Sequence, residues 1–213
     1  MGRDRFYRRV RPQRTVRRLT LPLFALSSLL VATSALAHTG QQDAASGFAA
    51  GFLHPITGFD HLLAMLAVGM WGAQLGMPAL WVLPVAFPLV MAVGGALGIL
   101  GAPLPAVEPA IVLSVLLLGV VIAIGRKPPI VFAAALVAFF AVFHGYAHGR
   151  ELPEAASAMA FSAGFVLATG CIHLTGIGIG FVTKLPNGSL LLRAGGAAIA
   201  MAGVLFAWHL GGA

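Results

Sequence analysis

Beyond residue 44 the chain is a succession of six apolar runs, at approximately 58–76, 79–101, 107–125, 129–148, 155–182 and 189–211. Each is roughly 18 to 28 residues long, enough to cross a ~30 Å hydrocarbon layer at ~1.5 Å of helix rise per residue. A backbone in lipid has no water to bond to and must pair its own N–H and C=O groups, so runs of this length are helices. Helix breakers stand between them: Gly76-Met77-Pro78, Gly101-Ala102-Pro103-Leu104-Pro105, Gly125-Arg126-Lys127-Pro128-Pro129, Arg150-Glu151-Leu152-Pro153 and Leu185-Pro186-Asn187-Gly188. The expected fold is all-α, a polytopic membrane bundle of about six helices. Composition excludes the soluble alternative, because only 9% of residues are charged where a soluble domain carries about 25%. The 27 glycines suit close approach of helices in a bundle.

The first 37 residues have a different character. Eight arginines precede residue 19, an apolar stretch fills 19–34, and Ala35-Leu36-Ala37 follows. That is the order of a secretory signal peptide, with a basic start, an apolar centre and an A-x-A cleavage site. Residues 1–37 are therefore read as a cleavable signal peptide and 38–213 as a single transmembrane domain beginning at His38. The alternative is an uncleaved first helix, which makes seven. The formal charge of +7 belongs to this leader, since five cations and five carboxylates balance beyond residue 37. No nucleic-acid partner is expected. Cys171 is the single cysteine, which excludes an intramolecular disulfide and a Cys-rich metal site.

Orientation follows from the loops. With residue 38 outside, six crossings put Arg126, Lys127, Lys184 and Arg193 at the inner face and Arg150 at the outer one. This agrees with the positive-inside rule. Asp43, Asp60, Glu108, Glu151 and Glu154 then make the outer face acidic, and six of the seven histidines lie at or near the same ends of the helices. Ionisable groups clustered at a membrane boundary mark a functional site.

Two segments carry the chemistry. In His54-Pro55-Ile56-Thr57-Gly58-Phe59-Asp60-His61, Pro55 disfavours helix at His54, so His54 is expected on an entry loop with the helix beginning near Ile56 or Thr57. Thr57-x-x-Asp60 reads as a capping box. Asp60-His61 also offers a carboxylate oxygen and an imidazole nitrogen to a divalent cation. In Phe143-His144-Gly145-Tyr146-Ala147-His148-Gly149-Arg150-Glu151, residues 144, 148 and 151 share one helix face, and their donor atoms are expected to converge on one ion. Imidazole favours a late first-row transition metal over magnesium or calcium.

Together the segments resemble the HupE/UreJ family of bacterial membrane proteins. This chain reads HPITGFDH at 54–61 against the family's HPxxGxDH, and FHGYAHGRE at 143–151 against FHGxAHGxE. The resemblance implies a nickel permease of the inner membrane that works beside hydrogenase or urease maturation proteins. It also implies that His54, Asp60, His61, His144, His148 and Glu151 matter for transport of Ni2+. The spacing alone suits Co2+ or Zn2+ nearly as well.

Further candidates are His38, through its imidazole and the free amine that cleavage would create, His173 deep in the fifth helix as an inner relay, and His209 as a vestibule member. A buried histidine bonded to a neighbouring helix is the plainer reading of His173. Two other functions fit the same residues. A membrane protein could hand nickel on without transporting it, or a membrane metalloenzyme could use the histidines to activate water or oxygen. No pocket for an organic substrate is marked, so no enzyme and no required cofactor is expected. No G-x-x-x-x-G-K-[ST] motif supplies a nucleotide site.

Overall fold

A computed structural model describes residues 40–151 and 158–212, with side chains from residue 45 onward. The expected signal peptide at 1–37 and His38 lie outside the described residues. The described residues form seven α-helices, α1 (Gly40–Thr57), α2 (Phe59–Leu75), α3 (Ala79–Ile99), α4 (Val107–Ile124), α5 (Ile130–Arg150), α6 (Ala158–Gly180) and α7 (Gly188–Gly211). A 3₁₀ turn, Phe181–Lys184, joins the last two. There is no strand among the described residues. The protein is a multi-pass membrane bundle, and Asp43–Ala213 is one compact unit.

Five helices, α3 to α7, are each long and apolar enough to cross a membrane. The first expected crossing has a different form. At 17 residues α2 is short, and it is preceded by α1 across a 79° bend at Gly58; together the pair has the length and apolar character of one broken span or of a re-entrant loop. Gly58 is extended at φ −84° and ψ 103°, which stops one helix and starts the next.

Glycine sets how the helices meet. A Cβ on Gly145 would overlap the Met91 carbonyl, one on Gly149 the Gly95 carbonyl, one on Gly94 the Val142 carbonyl and one on Gly98 the Tyr146 carbonyl. Helices α3 and α5 therefore interlock backbone to backbone through two small-xxx-small repeats. The same device joins α2 to α6 at Gly69 and Gly176, and α4 to α7 at Gly119, Gly196 and Gly203. Trp71, Phe87, Phe140 and Leu118 fill the interior, while Trp81, Leu89, Val131, Phe132 and Trp208 face outward, as lipid requires. On α5 the residues that interlock, 145 and 149, directly follow His144 and His148. The contact that seats the helix thus turns both histidines inward.

Candidate metal site

His54 does not sit on a loop. Helix α1 runs through Pro55 to Thr57, placing His54 in its last turn. Proline there removes only the N–H that would have bonded the Gly51 carbonyl, a small loss at a helix end. The expected capping box is also absent. Thr57 Oγ1 donates back to the His54 carbonyl at 3.0 Å, and Asp60 Oδ1 accepts the His61 backbone N–H at 2.8 Å. The bend at Gly58 points Thr57 into the end of α1 and leaves Asp60 in the first turn of α2, where a carboxylate complements the helix dipole.

The bend brings the two sequence segments together. His54 Nε2 lies 3.0 Å from His148 Nδ1 and 3.1 Å from Glu151 Oε2. These three ligand atoms lie within 4.8 Å of one another, a group that can hold a metal ion. Ligands bound about 2.1 Å from a first-row ion stand about 3.0 Å apart along an octahedral edge and about 3.4 Å apart in a tetrahedron, so the two short spacings are those of a coordination shell. The imidazoles are braced from α6, with the His54 ring 5.6 Å from that of Phe161 and the His148 ring 4.5 Å from that of Phe165. The Nε2 of His148 is buried and has no hydrogen-bond partner in the structure.

Residue 144 does not join residues 148 and 151, contrary to the expectation from helix spacing. Glu151 follows the last helical residue, Arg150, and swings toward α1. His144 is fully buried and both of its nitrogens are engaged, Nδ1 with His61 Nδ1 at 2.7 Å and Nε2 with Ser114 Oγ at 2.9 Å. The protons can be placed along this chain. Ser114 donates its one hydroxyl hydrogen to the Ile111 carbonyl at 2.6 Å, so it accepts from His144 Nε2–H. Neutral His144 then has a bare Nδ1, which accepts from His61 Nδ1–H and leaves the lone pair of His61 on Nε2. The His61 ring stands 4.3 Å from that of His148, centroid to centroid. The result is two tiers, an upper one of His54, His148 and Glu151, and a lower one of His61, His144 and Ser114. Asp60 adjoins the lower tier through the His61 backbone, and the exposed Glu108 of α4 is in electrostatic range of both Asp60 and Glu151.

Sequence reasoning passed over Ser114. Its signal was a lone hydroxyl in the otherwise apolar interior of α4. Phe161 and Phe165 carried no signal, since nothing sets them apart from other aromatics in the same apolar runs. Of the secondary candidates, His209 is exposed in the last turn of α7 and bonds its own helix at the Leu205 carbonyl, 2.8 Å away. No described contact joins it to the tiers. His173 is buried in α6, below them. Cys171 is an exposed free thiol.

A bent helix pair, five further spans and a two-tier histidine group at one end define a class, the polytopic membrane proteins that carry an intramembrane cluster of imidazoles. No solved structure matches the chain. Residues 26–206 match the family described as HupE / UreJ protein, and the chain is 45% identical over 178 residues to Protein HupE of Rhizobium leguminosarum bv. viciae, covering 84% of this chain and 92% of that one. The chain belongs to the HupE/UreJ family.

Proposed function

We propose that the protein is a permease for a divalent transition-metal cation, with Ni2+ as the physiological ion and hydrogenase or urease maturation as its destination. The observation that carries this reading is the approach of His54 Nε2 to both His148 Nδ1 and Glu151 Oε2 at ligand-to-ligand distances. The carboxylates Asp60, Glu108 and Glu151 attract an arriving cation. The upper tier exchanges its water ligands for imidazole and carboxylate. The ion then moves to the bare Nε2 of His61, which His144 and Ser114 hold in the required tautomer. Second partners of this kind orient metal-binding imidazoles generally. The mixed set of two imidazoles and one carboxylate, partly open to solvent, holds an ion weakly enough to release it, as conduction demands.

The same reading puts the chain in the bacterial cytoplasmic membrane, with residues 1–37 removed and the histidine end outside. Radiolabelled Ni2+ uptake by a host lacking its own nickel importers tests it, with Co2+ and Zn2+ as competitors. Uptake that depends on the chain supports transport. Retention of stoichiometric metal by the purified chain without uptake overturns it in favour of a delivery protein. Orientation is tested in a Cys171→Ala background by Arg150→Cys and Leu185→Cys, using a thiol reagent that cannot cross the membrane. Labelling at 150 alone in intact spheroplasts is expected, and labelling at 185 alone makes the protein an exporter or an internal partner.

A further inference from the structure

Of the six buried imidazole or hydroxyl side chains among the described residues, four belong to the two tiers, and His173 stands apart from them. It is 2% exposed. Its backbone carbonyl packs on Gly69, two helical turns beyond His61 on α2, or about 12 Å deeper. The Phe87 ring lies between the levels, its centroid 5.5 Å from that of His144 and 5.5 Å from that of His173, to which it is perpendicular.

What protonates His173, and where, is decided on another helix. Helix α3 contains Pro84 and Pro88, four residues apart. A helical carbonyl accepts from the N–H four residues on, and proline has none, so the Pro84 carbonyl has no donor within its own helix. His173 supplies one through a hydrogen bond to that backbone group. A carbonyl only accepts, so the nitrogen facing it carries the proton. Nε2 has no partner in the structure, which makes the donor Nδ1 and leaves the lone pair on a buried Nε2. One turn earlier on the same face of α6, Thr169 Oγ1 is likewise buried and has no partner. The proline pair therefore selects the tautomer of His173 whose lone pair lies on the unpartnered Nε2, and a second unpartnered polar atom, Thr169 Oγ1, lies one turn away on the same helix face.

From this arrangement we infer that His173 Nε2 is an inner transit ligand, which takes the divalent cation from the His61/His144 tier beyond the Phe87 ring, with the Thr169 hydroxyl as its neighbouring oxygen. The inference rests on the transport reading above.

The test uses the full chain in proteoliposomes with a trapped metal indicator and Ni2+ outside. His173→Leu is expected to lower the maximal initial rate at least tenfold while the half-saturating Ni2+ concentration stays within twofold, because capture occurs in the upper tier. The competing explanation is that His173 serves only to satisfy Pro84. Pro88→Ala separates the two, since it returns a helical donor to that carbonyl and no lone pair to the pathway. The double variant His173→Leu/Pro88→Ala is expected to remain at least tenfold slower than Pro88→Ala; recovery to the Pro88→Ala rate overturns the inference. His173→Gln, which keeps an N–H for Pro84 but offers nickel a poorer ligand than imidazole, is expected to remain at least fivefold slow, and a parental rate overturns the inference in the same way. Absence of Ni2+, Co2+ and Zn2+ uptake by the parent chain defeats the transport reading and this inference together. Parental uptake that no His173 variant alters defeats the inference alone.

Discussion

The upper and lower tiers are built from the same residue type and differ in how their protons are held. In the upper tier the His54 and Glu151 side chains are 28% and 52% exposed, and His54 Nε2 faces two acceptor-capable atoms at once. A single hydrogen or a single cation can sit among them, and water can reach both. In the lower tier His144 is 0% exposed, both of its nitrogens have partners, and the chain of donors ends on a backbone carbonyl. A half-exposed group whose proton is shared exchanges readily, whereas a dry group whose tautomer is locked presents one lone pair in one direction. Capture suits the first, and directed passage the second.

The frame that carries both tiers is the easiest part to break. Gly145→Leu forces a side chain into the Met91 carbonyl and separates α3 from α5, so both tiers are lost at once. The expected result is near-complete loss of folded protein from the membrane, read by detergent-extracted abundance and size-exclusion chromatography. His148→Ala comes next in effect. Its ring touches His54 of the upper tier and His61 of the lower, so its removal is expected to cut Ni2+ uptake by at least about 100-fold, since loss of an outer partner of a metal alone costs up to about that much. Adding His61→Ala should then cost little more, because groups that act as a unit are not additive. Multiplying losses would mean that the tiers work independently.

Ser114→Ala addresses the lower tier alone. It removes the acceptor for His144 Nε2–H and frees His144 to adopt either tautomer, with an expected uptake loss of about tenfold and unchanged abundance. Ser114→Thr, which keeps the hydroxyl, should stay within about twofold. An equal loss in both variants would make Ser114 a packing residue instead. The smallest effect is the pH dependence of capture. Ligation requires neutral imidazole and releases protons, so affinity falls as pH drops. Half-saturating Ni2+ is expected to rise between about pH 7.5 and pH 5.5, and a flat profile would exclude imidazole capture.

The sequence was most legible where a physical rule acts locally. Spans α3 to α7 follow from run length and the breakers between them, because lipid leaves a backbone no other choice. The family motifs likewise mark the upper tier and most of the lower one. The errors fell where two helices negotiate. Pro55 predicts a loop in isolation, yet a proline near a helix end costs one bond, and the packing of Gly51 on the Phe161 carbonyl and of Gly164 on the Phe48 carbonyl holds α1 helical through it. Helix spacing puts residues 144, 148 and 151 on one face, but it says nothing of what stands opposite.

The sequence by itself determined that this chain is a helical membrane protein with imidazoles and carboxylates gathered at the ends of its first and fourth expected spans, since hydropathy, breakers and motif spacing are properties of the chain read in one dimension. Only the tertiary structure decided how those residues divide. The 79° bend at Gly58 lays His54 beside His148 and Glu151, and the hydroxyl of Ser114 on α4 takes His144 away from them. Proton placement depends on which donor meets which acceptor across helices, over distances of about 3 Å that no single helix can set.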